Sequence, residues 1–238
     1  MNSKSLSLLV LGTVLVTLSA CGAHTDSPMT QVDMAIERAD KHAAAIQDPE
    51  KKLAVYERIY KQNPKNAKAA TEYAHHLRKQ GRISQAEAVL TLFAELPDAP
   101  ASVYSEFAAI KLASGEHASA EIYAKEALSK QKDDSFAYHT LGIALDGLGR
   151  YKEAEEAFRS ALDNWEGNPV PVMNNLALNL ATQGYIDESI SILERAKTLE
   201  PDRTELERNL RIIRALNENS AAYSPVQDMP HPTKKPEK

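Results

Sequence analysis

The sequence predicts an all-α protein, a solenoid of stacked antiparallel helix pairs, and three observations carry the prediction. Gly81, Gly115, Gly149 and Gly184 recur at intervals of 34, 34 and 35 residues. Five residues after each stands a small side chain, Ala86, Ala120, Ala154 and Ser189. Seven residues before each stands another, Ala74, Ala108, Gly142 and Ala177, each preceded by a large one, Tyr73, Phe107, Leu141 and Leu176. A period of this length with helix-spaced apolar positions is one helix–turn–helix unit, and units of that kind bury a continuous core only by stacking on one another. Aromatic residues make up only 6% of the chain, which suits close helix packing better than a β-sandwich, and no run alternates as a strand would.

The elements follow in order. Met1–Ser5 carries Lys4, Leu6–Leu18 is apolar throughout except for small polar residues, and Ser19 and Ala20 are small, the plan of a secretory signal peptide over residues 1–20. As a helix, Leu6–Leu18 would span about 20 Å at ~1.5 Å per residue, short of a bilayer core. Residues 21–31 are too polar to bury surface and are expected to form a tether. Residues 32–66 read as a degenerate first unit: 32–46 as its first helix, then a second carrying Leu53, Tyr56, Ile59 and Tyr60 and ending at Asn63-Pro64.

Four full units occupy 67–100, 101–134, 135–169 and 170–203. In the third, Tyr138, Leu141, Leu145 and Leu148 form one helical stripe. Gly149 ends that helix, because glycine takes the left-handed conformation a helix C-terminus needs. Ala154, Ala157, Phe158, Ala161 and Leu162 line a second helix, which Asn168-Pro169 is expected to stop. Small Gly142 and Ala154 let the two helices approach, with Phe158 and Leu141 filling the space around them. The residue that makes the last interval 35 falls in the loop Asn168–Pro171. Residues 204–219 form a capping helix rich in Glu205, Glu207, Arg208, Arg211 and Arg214, as a solvent-facing end should be. Residues 220–238 contain Pro225, Pro230, Pro232 and Pro236 with few apolar residues, and are expected to be disordered.

The pattern Tyr138…Leu141-Gly142…Leu145…Gly149…Ala154…Phe158…Ala161, with Pro201 closing the next unit, resembles the tetratricopeptide repeat over roughly residues 67–216. That resemblance implies a right-handed superhelical solenoid and a role in protein–protein interaction. Ala70, Lys111, Asp98 and Lys132 depart from the family pattern. The segment Leu18-Ser19-Ala20-Cys21 resembles the bacterial lipobox, which implies a covalent diacylglycerol and acyl chain at Cys21 and no other cofactor. More than one chain anchors a protein stably, at about 0.8 kcal/mol per buried methylene. Gly22 in place of aspartate implies the outer membrane, with the protein facing the periplasm. The lipobox, the four repeats, Asn174-Asn175-Leu176-Ala177-Leu178, Glu194-Arg195-Ala196 and Leu206–Leu210 together resemble the TadD family of tight-adherence pilus assembly lipoproteins. This implies a secretin, or another pilus or secretion component, as partner. An adaptor docking envelope enzymes such as peptidoglycan hydrolases would need the same lipid and scaffold, and an unpaired terminal helix could bind a second copy of the chain.

The net charge of −5 offers no basic field for nucleic acid. Seven histidines occur without an HExxH motif or a Cys/His cluster, so no metal site is expected. Adjacent His75 and His76 diverge on a helix, and His42, His117 and His231 read as solvated. Acid pairs such as Glu155-Glu156 read as solvated outer faces. No serine elbow or phosphate loop is present, so no catalytic residue is assigned and the chain reads as a non-enzyme.

In the tetratricopeptide family, the second, fifth, ninth and twelfth residues of each first helix line a concave groove. Carried over, these are Lys68, Thr71, His75 and Arg78, with adjacent Lys79; Ser102, Ser105, Ala109 and Leu112; Phe136, His139, Ile143 and Asp146; and Pro171, Asn174, Leu178 and Ala181, with adjacent Asn175. The groove is thus expected to run from basic to apolar and amide-bearing, suiting a peptide with an acidic end and an apolar stretch. Phe136 and Ile143 either present an apolar contact to the partner or pack against the neighbouring unit. The family's lysine and asparagine clamp for a terminal carboxylate is not matched.

Overall fold

A computed structural model of the chain describes residues 30–222 apart from 44 and 47, with side chains as far as 218 except that of Ala43. The signal peptide, Cys21, His231 and the segment 223–238 lie outside the described residues. Among the described residues there are eleven helices and no strand. They are α1 Gln31–Ala43, α2 Pro49–Gln62, α3 Ala67–Lys79, α4 Ile83–Ala94, α5 Ala101–Ala113, α6 His117–Lys130, α7 Ser135–Gly147, α8 Tyr151–Asp163, α9 Val170–Thr182, α10 Ile186–Leu199 and α11 Thr204–Ala222.

Local chemistry sets where these helices begin and end. Asp48, Asn66 and Asp134 stand at N-caps, where side-chain oxygens accept from backbone N–H groups of the first turn that have no partner inside the helix. The tight turns within each of the four full pairs all pass through a glycine with φ between 75° and 88°. At Gly149 the N–H of Arg150 bonds back to the carbonyl of Leu145 at 2.9 Å, and that of Gly149 to Asp146 at 3.0 Å, satisfying carbonyls at the end of α7. A Cβ on Gly149 would meet nothing within 4 Å, so the requirement is purely conformational. Gly149→Ala is therefore expected to lose about 1–2 kcal/mol, the cost of a left-handed residue with a Cβ. Gly149→Asn should lose less, since asparagine tolerates that region. Equal urea midpoints for the two variants would show that something other than φ is at work.

The end of α8 differs from the expectation. It stops at Asp163 with Asn164 at its C-cap, before the Asn168-Pro169 pair. The chain then turns through Gly167 at φ 84°. Trp165 Nε1 donates to the carbonyl of Asn168 at 2.8 Å, and Asn168 Oδ1 accepts from Val170 N at 3.0 Å. Asn168 thus opens α9 instead of closing α8. The helix α11 also runs to Ala222, past the expected boundary, because Ala221 and Ala222 favour helix and no proline intervenes before Pro225. Its solvent side is less polar than its sequence suggested: Ile212 is 53% and Leu216 54% exposed.

Packing makes the stack curve. The first helices touch one another in succession, α1 with α3, α3 with α5, α5 with α7, α7 with α9 and α9 with α11, as well as touching their sequence neighbours. Among the described residues the backbones of the second helices approach only first helices, and second helix meets second helix through side chains, as where Arg159 of α8 reaches Glu188 of α10 at 2.7 Å. The first helices therefore form the tighter, inner layer and line the concave face. The core lies between the layers, where small side chains meet large ones: Ala70, Ala74 and Ala86 against Leu77 and Leu90, and Gly142 and Ala154 against Phe158.

Candidate functional site

A ladder of polar contacts crosses the concave face, tying each first helix to the next. Lys68 Nζ of α3 reaches Asp33 of α1 at 2.8 Å. Arg78 of α3 grips Glu106 of α5 with Nε at 2.6 Å and Nη2 at 3.1 Å, and His75 Nδ1 lies 3.1 Å from the same carboxylate. Ser105 of α5 donates to Asp134, the N-cap of α7. His139 Nε2 of α7 lies 2.9 Å from Asn175 Nδ2 of α9, and Asn179 Nδ2 donates to Asp146 at 2.6 Å. Asn174 donates to Glu205 of α11 at 3.3 Å and accepts from Asn209 at 2.8 Å.

This ladder explains where the sequence-derived groove residues fall. Ser105, Ala109 and Asn174 are buried, at 4%, 7% and 3% exposure, because the inner layer is close-packed at those turns. Ser105 and Asn174 spend their polar groups on neighbouring helices. Thr71 is half-buried and donates to the carbonyl of Ala67 in its own helix. The basic end is largely neutralised: Lys68, His75 and Arg78 each face an acid, leaving Lys79 exposed without an ion pair among the described residues. Leu112 is half-buried and Leu178 is 39% exposed. Ile143 is half-buried and packs against the Leu141–Leu145–Phe158 cluster, whereas half-buried Phe136 lines an open cavity.

That cavity, of about 320 Å³, opens between α3, α5 and α7. Phe136 and Asp134 stand on one side, Glu72 and Thr71 on the other, and Ser102, Ser105, Glu106 and His75 lie between them. Burial alone would raise the Glu106 carboxyl, but the hydrogen bonds from His75 and Arg78 outweigh it and hold the group below the usual carboxylate range. Glu72 behaves in the opposite way. Burial pushes it up, His75 counters in part, and the neighbouring charges of Asp40 and Glu106 push it up further.

The sequence-derived positions did not include Glu72, Glu106 or Asp134. The signal for the first two lay in the repeat itself, because the sixth residue of α3, α5, α7 and α9 is Glu72, Glu106, Thr140 and Asn175. Three of those four are polar side chains lining the cavity or bonded within the ladder.

Of the two described histidines read as solvated, one is exposed and the other is not. His117 is half-buried with its ring against Gly147, where a Cβ would come within 2.5 Å of Nδ1. His42 is exposed. His76 stacks on Tyr56 at 3.9 Å and is pushed down to about 4, first by burial and then by neighbouring His75. His139, with Trp165 edge-on at 5.4 Å, is pushed down to about 4 by burial. Its neutral ring accepts from Asn175; a protonated ring could not. A depressed histidine contributes stability that is complete above its unfolded value of 6.5 and is lost as pH falls towards its folded value of about 4. Stability is therefore expected to fall from pH 6.5 to about 5, above most carboxylate titration. The slope should shrink in His139→Gln, and an unchanged slope in chemical-denaturation curves would remove His139 as its source. No group of three or more metal-ligating side chains occurs among the described residues, and no described helix is long and apolar enough to cross a membrane.

A curved stack of helix pairs with an open groove on its inner face is an interaction scaffold. The chain belongs to the tetratricopeptide-repeat proteins, which bind protein partners and are generally not enzymes: models of the tetratricopeptide repeat match residues 38–105, 137–164 and 170–203. No curated protein sequence matches the chain. Among solved structures it is similar to TTC0263, a thermophilic protein of this family from Thermus thermophilus, at 19% identity and a TM-score of 0.63 over 76% of this chain and 98% of that one. It is also similar to the Cut9–Hcn1 hetero-tetramer of the APC/C, at 14% identity and a TM-score of 0.67, covering 79% of this chain but only 40% of that one. YrrB, a tetratricopeptide-repeat protein with an unusual peptide-binding site, matches at 16% identity and a TM-score of 0.51 over 74% and 90%. With these the chain shares the right-handed superhelical solenoid.

Proposed function

We propose that the protein is a scaffold lipoprotein anchored through Cys21 in the outer membrane and facing the periplasm. Its concave groove holds a segment of a protein partner, and that partner is the secretin of a tight-adherence pilus or related secretion system. The observation that carries the groove reading is the cavity between α3, α5 and α7, open along the inner face, with Phe136 presenting an aromatic surface. The peptide-binding site of YrrB supports it as a precedent on the same fold. The anchor rests on Leu18-Ser19-Ala20-Cys21 and the secretin on the resemblance to pilus assembly lipoproteins.

The anchor is tested by radiolabelled palmitate: incorporation into the wild-type chain and its loss in Cys21→Ala, with release from the membrane fraction, are expected. The partner is tested by crosslinked pull-down from the native envelope beside Phe136→Glu. Secretin recovered with the wild type and lost with the variant, together with lower secretin levels on gene deletion, is the expected result. Recovery of peptidoglycan hydrolases in its place would replace the secretin reading with that of an enzyme-docking adaptor.

A further inference from the structure

The charges around the cavity carry one step more, which rests on the groove reading above. Three carboxylates line it, and only one is matched. Glu106 is 4% exposed and held by Arg78 and His75. Glu72 is half-buried, and no cation lies within ion-pair distance of it among the described residues. The basic groups that act on it are committed elsewhere, Lys68 to Asp33 at 2.8 Å and His75 to Glu106 at 3.1 Å. Its other charged neighbours, Asp40 and Glu106, are acids. Asp134 spends one oxygen on Ala137 N at 2.9 Å and the other on the Ser105 hydroxyl, so it too is hydrogen-bonded but faces no cation. Beside Asp134 stands the ring of Phe136, and the face of such a ring attracts cations.

We propose that this cavity is the subsite for one cationic side chain, a lysine or arginine in the partner's segment, seated on Phe136 between Glu72 and Asp134. A half-buried carboxylate without a counter-ion gains most from a partner that brings one, and an acidic residue here would meet two unmatched carboxylates. This reverses the expectation, drawn from Lys68, His75 and Arg78, that the segment enters with an acidic end. Those bases are already paired. The volume of about 320 Å³ admits an extended side chain with room for its backbone to pass along the groove.

The test uses the full lipidated chain in its own envelope, with photoreactive benzoylphenylalanine in place of Ser102, which is exposed at the cavity rim. The crosslinked peptide is sequenced by mass spectrometry. The expected result is a segment with lysine or arginine within two residues of the crosslink. Capture should fall about tenfold in Glu72→Gln, the loss of one charge-assisted contact. It should be abolished in Glu72→Lys and be unchanged in Glu126→Lys, a charge reversal on an exposed face of α6. Glu72→Gln keeps shape and removes no described ion pair, and an unchanged circular dichroism spectrum checks its fold. Changing the captured lysine or arginine to glutamate should restore binding to Glu72→Lys. A crosslinked segment with no basic residue, or full capture by Glu72→Lys, overturns the cationic subsite and leaves the groove reading standing. Failure to crosslink from Ser102 and from Leu178 alike overturns both.

Discussion

Phe158→Ala is expected to lower the free energy of unfolding by about 3–5 kcal/mol, the range for deleting a buried aromatic ring. Phe158 is 1% exposed and sits in a cluster with Leu141, Leu145, Val172 and Leu176, drawn from α7, α8 and α9. It therefore joins one repeat to the next as well as the two helices of its own. The ring is held on a fitted seat: a Cβ on Gly142 would come 2.6 Å from Cδ1 and Cε1. Gly142→Ala alone should then cost about 1–3 kcal/mol through overpacking, although alanine favours helix. In a Phe158→Leu background, where the ring edge is gone, the same change should cost much less. The cycle is read by urea unfolding followed by circular dichroism. If Gly142→Ala cost as much with leucine as with phenylalanine, the close approach would not be what fixes glycine there. Because each repeat is supported only by its neighbours, Phe158→Ala should also split unfolding into two steps, with α9–α11 released first.

The frame of this fold was legible in the sequence because its determinants are local and repeated. Gly81, Gly115, Gly149 and Gly184 all take positive φ, and a requirement met four times in register stands out against the background. Small residues opposite large ones, Gly142 and Ala154 against Phe158, recur for the same reason. The ends of elements were less legible where two residues could do the same work. Asn168-Pro169 carries the signature of a helix stop, yet Asn164 and Gly167 end α8 earlier and leave Asn168 to accept from Val170 N at the start of α9.

The groove was legible as a set of positions but not as a set of charges. Carrying the family's positions onto α3 found Lys68, His75 and Arg78 and suggested a basic surface. Whether a base is free depends on what the next unit places opposite it, and Glu106 lies 28 residues from Arg78, near the repeat length. Pairing of that kind is invisible when each helix is read alone. Comparing the same place across units exposes it, since the sixth residues Glu72 and Glu106 are both acidic while only Glu106 has gained its partners.

Arg78→Met is expected to cost about 3–5 kcal/mol, because it strands most of a buried carboxylate's charge on half-buried His75. The pair is closed on both sides, with the Glu106 side chain 4% and the Arg78 side chain 18% exposed. Removing both partners should be far milder: Arg78→Met with Glu106→Leu replaces the pair by apolar groups and should recover most of the loss. The pH dependence follows with a definite sign. The Glu106 carboxyl is depressed in the folded chain, so it contributes stability above the carboxylate range that disappears as pH falls through its folded value. In Arg78→Met that depression should vanish, and the acid limb of the stability curve should move to higher pH. An acid limb that stays in place would mean that His75 alone holds the charge. The same experiment bears on function, because Glu106 and His75 form the floor of the cavity that Glu72 and Asp134 flank. Arg78→Met should loosen α3 against α5 and weaken partner capture together with stability, whereas Glu72→Gln should weaken capture alone. Separation of the two effects would assign Arg78 to holding the groove in shape and Glu72 to touching what enters it.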